Sequence, residues 1–242
     1  MADRPVTRIA QAYPDRVEVR GRDLAGDLMG RVTFTEYFYL LLTGEEPTEE
    51  QRFFLDLLLV SIAEHGMMPT NVAARMTLTA DPDSLQGAVA AGILGAGPVV
   101  LGTAEDCAQL LAEAVVSRRG AGEVAQDFRE AGEKVPGFGH PVHKPGDPRA
   151  ERILELAHEH EVDGAHVGFA RSLRDELHPL PMNVSLPIAA VMLDLGFPAS
   201  AVKAVPILAR TASLLAHLAE ERESPIGFQL ARAAEEAVEY ER

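Results

Sequence analysis

The chain has 242 residues, enough for one large domain or for a large and a small one. Its 22 basic and 37 acidic residues give a formal charge of −15, which argues against nucleic acid or an anionic membrane as a general partner. Hydrophobic residues make up 47% of the chain, aromatic residues only 5%, and there is no tryptophan. A core made of Ala, Leu, Val and Ile favours close-packed helices.

Cysteine usage and the amino-terminal composition indicate a cellular compartment. The single cysteine, Cys107, excludes an internal disulfide, fits a reducing cytoplasm and is expected to be a small core residue. Residues 1–22 contain no apolar run typical of a signal peptide. No segment is expected to have the length and apolarity of a membrane helix. We therefore expect a cytoplasmic protein.

Two capping boxes open the helical part of the chain. After a short extended piece at 17–20, Thr33 with Glu36 and Thr48 with Gln51 each have the spacing that begins a helix. Gly44 is expected to end the first helix, and the second is expected to run to about residue 64.

The break after the second helix, His65 to Asn71, has two interpretations. His65 either caps the helix carboxyl end, where the dipole favours a cation, or contacts a ligand. Helices are then expected over 71–80 and 84–96. The second is rich in Gly and Ala, which allows close helix packing either inside the monomer or at a dimer interface.

The remaining helices are expected over 103–118, 123–132, 147–160, 164–176, 186–195 and 199–222, with a Glu-rich helix running to Arg242. His158, His160 and His166 lie close together in the sequence. Because His158 and His160 point to different faces of a helix and no cysteine is near, no metal site is expected.

The most distinctive stretch is the loop from Pro136 to Arg149, which combines glycines and prolines with two histidines and two cations. Proline stiffens the backbone, and glycine permits positive φ or close approach of a ligand. Such a loop suits an anionic ligand that needs proton transfer at an imidazole, although a basic connection between two helices is the alternative.

Gly137-Phe138-Gly139-His140, followed by Lys144 and Asp147-Pro148-Arg149-Ala150, resembles the histidine loop of the citrate synthase family. That family includes citrate and methylcitrate synthases, citryl-CoA lyase and the carboxyl-terminal module of ATP-citrate lyase. Residues 204–221 resemble the family helix that carries a substrate-binding arginine, here Arg210. The resemblance implies an all-α, citrate synthase-like fold. It implies a large helical domain from 1–102 and 197–242, a small helical domain from 103–196 that carries the His140 loop, and a homodimer.

The resemblance also implies a binding site for a CoA ester and a di- or tricarboxylate. His140 would exchange a proton with the substrate, and His65, Arg149 and Arg210 would bind its carboxylates. A buried Arg210 needs an anionic partner, either a protein carboxylate or a ligand, and His217 is expected to be structural. The residues assigned to the coenzyme A thioester, which is a substrate and not a permanently bound cofactor, are Gly137, Phe138, Gly139, His143 and Lys144.

Three departures separate this chain from the synthases that it resembles. Val100 stands where synthases carry the histidine that stabilises the enol, and Ser185 stands where they carry the aspartate base. Ser185 is expected to keep the structural role of a helix N-cap but cannot act as a base without a partner. In the tail after Ser224 we find no match to the arginine that the family sends into the partner's active site.

These losses make ordinary citrate synthesis improbable and favour a citryl-CoA lyase-like enzyme that cleaves a 3-hydroxyacyl-CoA to an acyl-CoA and an oxo acid. Two alternatives stay open. One is a non-catalytic member that binds a CoA ester or dicarboxylate, or serves as a subunit of a larger complex. The other is a synthase-type acyltransferase that uses a different acidic substrate.

Overall fold

The computed structural model describes residues 5–139, 143–144 and 146–241, so the loop histidine His140 lies outside the described residues. The chain divides into two compact units after Asp56. The expected division into 1–102 with 197–242 and 103–196 stays a prediction. The architecture is all-α apart from one small sheet, as the sequence predicts.

The first unit holds a three-stranded antiparallel sheet of β1 (Ala10–Ala12), β2 (Val17–Val19) and β3 (Arg22–Asp23). Ala10 pairs with Val19 and Glu18 pairs with Asp23. The extended piece expected at 17–20 is therefore β2. Strand β3 leads into a single π-helical turn at Leu24–Leu28.

Helix α1 (Phe34–Thr43) begins and ends as the sequence predicts. The Thr33 side chain accepts a hydrogen bond from the Glu36 backbone, the Glu36 carboxylate accepts one from the Thr33 backbone, and Gly44 ends the helix at φ 86°. The second capping box is also present, because Gln51 N donates to Thr48 Oγ1 at 3.1 Å and Thr48 N to Gln51 Oε1 at 2.9 Å. It opens α2 (Glu49–Ala63).

The second unit continues with nine α-helices in its described part: α3 (Pro69–Ala80), α4 (Leu85–Leu94), α5 (Thr103–Val116), α6 (Ala121–Ala131), α7 (Pro148–Glu159), α8 (Ala165–Leu177), α9 (Ser185–Asp194), α10 (Ala204–Glu223) and α11 (Gly227–Glu236). A π-helical turn, Pro98–Gly102, precedes α5, and a 3₁₀ turn, Ala199–Ala201, precedes α10. The tail helix stops at Glu236, short of the expected Arg242.

Helix α9 is the centre of this unit. Every residue from Leu186 to Met192 is buried, and the helix contacts α5, α7 and α8. A helix that is apolar on all sides must be covered on all sides, which explains its central position. Cys107 on α5 is fully buried, as expected, and burial raises the pKa of its thiol.

Helices α3, α4 and α10 form a second packed group around Ala74, Ala88, Leu214 and Leu218. A Cβ on Gly92 of α4 would lie 2.7 Å from a methyl carbon of Leu214, so at this position the small residue serves packing inside the monomer.

The expectation that no segment has the length and apolarity of a membrane helix is wrong by those two criteria. The helical stretch Ala199–Glu223 reaches a mean hydropathy of 1.3 over its most apolar window. Its carboxyl-terminal part, α10, packs against α3 and α4 and buries the charged side chains Arg210 and Glu221.

Candidate active site

The loop that carries the glycines is tied to the segment before α9. Gly139 N donates to Pro181 O at 2.7 Å, and Asn183 N donates to Gly137 O at 2.8 Å. The Asn183 side-chain amide adds a third bond to Gly139 O at 3.1 Å. Because two of these bonds join backbone to backbone and the third joins a side chain to the backbone, all across more than 40 residues, they fix the loop beside the start of α9.

Gly137 and Gly139, two of the glycines of this loop, adopt the left-handed conformation, with φ of 84° and 80°. A Cβ on Gly137 would also lie 2.7 Å from Leu186 Cβ and 2.9 Å from Cys107 Sγ. Close approach at Gly137 therefore serves contact with the core, whereas none of the described residues has an atom within 4 Å of a Cβ placed on Gly139.

Asp147 joins the loop to an arginine and to α9. Its carboxylate is 1% exposed and accepts hydrogen bonds from Arg149 Nε at 3.0 Å, Arg149 Nη2 at 2.8 Å and Val184 N at 3.3 Å. Burial raises the pKa of the Asp147 carboxyl, but the Arg149 guanidinium outweighs burial and leaves the pKa below its usual value. Asp147 thus orients Arg149. No role for Asp147 is predicted from the sequence, although its place two residues before Arg149 is a signal for this contact.

Ser185 is the first residue of α9 and not its N-cap. Asn183 Oδ1 accepts the hydrogen bond from Ser185 N at 3.0 Å, so the N-cap role expected for Ser185 is wrong. The reason is local, because an Asn two residues before a helix start closes an Asx turn with its side chain.

His65 lies among cationic side chains. Its ring centroid is 5.3 Å from that of His143, with the two planes tilted by 36°. Burial lowers the pKa of His65, the charges of Arg149, His143 and Arg210 lower it further, and Asp147 partly opposes them. Residues far apart in sequence therefore converge on His65 and together disfavour its charged form.

Arg210 is 2% exposed and has weak partners. Its Nη1 donates to Asn71 Oδ1 at 3.3 Å and its Nη2 to Ile62 O at 3.4 Å, while the buried Nε has no hydrogen-bond partner among the described residues. Within the described part of the chain no carboxylate lies within 4.0 Å of this guanidinium. Burial lowers the pKa of Arg210. Of the two partners that the sequence allowed for Arg210, a protein carboxylate is not supplied by the described residues.

Arg75 is the contrasting case. It is also 2% exposed, but its Nη1 lies 2.9 Å from the buried Glu221 carboxylate, and its Nη2 pairs with Glu220. Its Nε donates to His217 Nδ1 at 3.1 Å, so His217 has the structural contacts that the sequence predicts. Asn71 Nδ2 lies 2.8 Å from His217 Nε2, which links this network to Arg210.

The carboxylate of Glu64 has four polar neighbours. Its Oε1 accepts from His65 N at 2.9 Å and Gly66 N at 2.6 Å. Its Oε2 accepts from Ser213 Oγ and lies 3.1 Å from His217 Nε2. Burial raises the pKa of Glu64, but these donors outweigh it and lower the pKa to about 2.

A cavity of about 780 Å³ is lined in part by the loop residues Phe138, Gly139 and Lys144. Its apolar wall includes Phe128, Val135, Phe138 and Leu177, and its cationic side chains are Arg129, Lys134 and Lys144. An apolar pocket bordered by cations has the chemistry to hold a long, partly apolar molecule that carries negative charge.

The model of the citrate synthase carboxyl-terminal domain family matches residues 24–233. The chain belongs to the citrate synthase family. The structure of citryl-CoA lyase from Hydrogenobacter thermophilus is similar, with 33% identity, a TM-score of 0.89 and coverage of 98% of this chain and 94% of that chain. The family and the all-α fold expected from the sequence are thereby confirmed.

Curated relatives within the citrate synthase family are longer. Putative citrate synthase 2 of Mycobacterium tuberculosis is 35% identical over 203 residues, which cover 78% of this chain and 52% of that protein. Citrate synthase 2 of Bacillus subtilis is 29% identical over 194 residues, covering 77% and 51%. The chain spans about half the length of these relatives. The structure of ATP citrate lyase from Methanothrix soehngenii, at 18% identity, a TM-score of 0.78 and coverage of 92% and 39%, shares the fold.

The citrate synthase-like site residues expected from the sequence fall into two places. His65, His143, Arg149 and Arg210 lie together, whereas Phe138, Gly139 and Lys144 line the cavity. His143 is expected from the sequence to bind the coenzyme, but its ring lies 5.3 Å from the ring of His65. Val100 lies in the π-helical turn, next to the cavity residue Val99. The catalytic and binding roles of all these residues, including those of His140 and Ser185, stay predictions.

A carboxylate ligand bound between His65 and the two arginines is expected to raise the pKa of His65, because such an anion favours the charged imidazole. In the free, folded protein the pKa of His65 lies below the usual value for histidine. His65 therefore gains its proton only at a lower pH than an ordinary histidine does. NMR titration of His65 with and without citrate measures the shift. An Arg210→Met variant is the control and should show none, and an unchanged His65 titration in the saturated wild type would contradict the prediction.

Proposed function

We propose that this protein cleaves citryl-CoA, or a closely related 3-hydroxyacyl-CoA, into an acyl-CoA and an oxo acid. The observation that carries the proposal is Arg210, a buried guanidinium without a carboxylate partner among the described residues, beside His65 and Arg149. These three side chains suit a substrate carboxylate, because charge-assisted bonds to buried guanidinium groups are strong and directional.

Residues 100 and 185 lack the groups with which the synthases that this chain resembles carry out condensation. Condensation must remove a proton from the carbon next to a thioester, and neither Val100 nor Ser185 carries a carboxylate or an imidazole for that step. Loss of a positioned base costs about 10²–10⁴ in rate, and loss of an oxyanion donor costs roughly 10²–10³ more.

Cleavage begins instead with the hydroxyl proton, which His140 would accept as the residue that the family resemblance assigns. As the hydroxyl carbon becomes a carbonyl, the carbon–carbon bond breaks and its electron pair moves to the thioester enolate. The enolate carbon then takes up a proton from water and gives the acyl-CoA, and the imidazole returns the hydroxyl proton to the solvent. His143 on the same loop is the candidate donor to the enolate oxygen in place of the histidine that Val100 replaces.

The cavity beside Phe138 and Lys144 supports a CoA thioester as the second part of the substrate. The apolar wall suits the pantetheine arm, and the lysine and arginine side chains at its border suit the phosphates. A structure of ATP citrate lyase holds citrate and coenzyme A, and a similar pair of ligands is proposed for this chain.

The direct test is the release of acyl-CoA and oxo acid from citryl-CoA by the purified protein. A His140→Ala variant is expected to lose about 10²–10⁴ in kcat, the usual contribution of a positioned base. His166→Ala is the matched control, because His166 contacts Asp194 at 2.7 Å on the other side of the unit's central helix. Absence of turnover in the wild type, or equal turnover in His140→Ala, would contradict the proposal.

A non-catalytic binding role is the second candidate, and Val100 and Ser185 favour it. Such a protein would be stabilised against heat by citrate or coenzyme A through preferential binding to the folded state. Stabilisation without turnover of citryl-CoA would select this candidate over cleavage.

A further inference from the structure

The Glu64 carboxylate lies near Arg210 without pairing with it. Arg210, Ser213 and His217 follow one another at spacings of three and four residues on α10, so they share one face of that helix. Ser213 and His217 both contact the Glu64 carboxylate, and the negative charge of Glu64 opposes the lowering of the Arg210 pKa. A carboxylate is thus about one helical turn from a buried guanidinium whose Nε has no partner in the described structure.

Hydrogen bonding explains why these two opposite charges do not meet. A carboxylate accepts about four hydrogen bonds, and Glu64 has four neighbours in those positions. The backbone of His65 and Gly66 occupies Oε1, and the side chains of Ser213 and His217 occupy Oε2. Turning Glu64 toward Arg210 would break at least two of these contacts.

Arg75 fixes the orientation of the His217 ring on the side opposite Nε2. Arg75 Nε donates to His217 Nδ1 at 3.1 Å, and an arginine Nε–H is always a donor. His217 Nε2 faces two groups, Asn71 Nδ2 at 2.8 Å and Glu64 Oε2 at 3.1 Å. Arg75 is in turn held by the buried Glu221, so the imidazole that contacts Glu64 is attached to the core.

We propose that Ser213 and His217 form a holding site for the Glu64 carboxylate, which prevents Glu64 from neutralising Arg210 and keeps Arg210 open to a substrate carboxylate. Ser213 and His217 are then positioning residues, since they act through Glu64. This inference rests on the proposed role of Arg210 in carboxylate binding but not on cleavage of citryl-CoA. A released Glu64 would compete with the ligand from inside the same molecule, where its effective concentration is high.

The test is a double-mutant cycle read out by citrate affinity, measured by calorimetry on the full chain. Ser213→Ala removes one donor and is expected to weaken citrate binding about tenfold, the effect of one hydrogen bond to a charged group. Glu64→Gln removes the competing charge and is not expected to weaken binding more than about threefold. The Ser213→Ala, Glu64→Gln double variant is expected to bind citrate as well as Glu64→Gln alone.

If the double variant recovers citrate affinity, Ser213 acts by holding Glu64. A loss of packing caused by Ser213→Ala would not be repaired by Glu64→Gln. A double variant as weak as Ser213→Ala overturns the inference, and so does unchanged affinity in Ser213→Ala. Absence of citrate binding by the wild type also overturns it, because Arg210 would then not be open. If citrate binds but citryl-CoA is not cleaved, only the proposed reaction fails, and the cycle still decides the role of Ser213.

Discussion

Replacing Arg210 with methionine is expected to abolish citrate binding and lower kcat/KM for citryl-CoA, while the fold stays as stable as the wild type or gains stability. Loss of one partner from a buried, hydrogen-bonded charge pair costs about 2–5 kcal/mol of binding, or about 30- to 4,000-fold. The free protein meanwhile gives up a desolvated charge whose only described partners are two neutral oxygens at 3.3 and 3.4 Å.

Activity and stability must be measured on the same samples to test this expectation. Citrate calorimetry and citryl-CoA turnover report the ligand role, and urea unfolding reports the structural role. Arg210→Lys is the matched control, because it keeps the charge but loses the planar fork that binds a carboxylate through two bonds, so its affinity should fall between the other two. An Arg210→Met protein that binds citrate normally, or that unfolds, would show that this guanidinium serves the fold.

The parts of the fold that could be predicted from sequence are those determined within a few residues. Both capping boxes and the stop at Gly44 are local patterns, and the structure has each of them. Strands β1 and β3 have three and two residues, too few for an alternating pattern to be recognised. The prediction that Ser185 is the N-cap of α9 also concerns only a few residues, but it is wrong. The side chain of Asn183 accepts the hydrogen bond from Ser185 N.

The candidate site could be predicted only through residues that match a family motif. His65, Arg149 and Arg210 were found in that way, and the structure brings them together. The side chains that hold them were not found, because their partners lie far along the chain. Ser213 contacts Glu64 across 149 residues. Nothing in the periodicity of either helix specifies such a contact, which depends on how the helices pack.

The other large effect is expected at Arg75, where replacement with methionine should destabilise the fold by about 3–5 kcal/mol, the typical cost of leaving a buried charge without its partner. Glu221 is 3% exposed, and besides Arg75 it accepts hydrogen bonds from Thr79 Oγ1, Ile226 N and Gly227 N. Burial raises the pKa of Glu221, but Arg75 and these donors outweigh it and keep the pKa below its usual value. Without Arg75, the effect of burial is less opposed and the pKa of Glu221 rises. The start of α11 then loses part of its support, because Ile226 N and Gly227 N donate to this carboxylate.

Urea unfolding of Arg75→Met measures the loss, with Arg232→Met as the matched control. Arg232 pairs with Glu236 on the surface of α11, where an exposed ion pair contributes at most about 1 kcal/mol. Adding Glu221→Gln to Arg75→Met should recover part of the stability, since the orphaned charge is then gone. If Arg75→Met were as stable as Arg232→Met, the buried pair would not support α3 and α10. The contrast with Arg210 would then disappear, because both buried arginines would tolerate replacement, and only the effect on citrate binding would distinguish a structural guanidinium from one that binds a ligand.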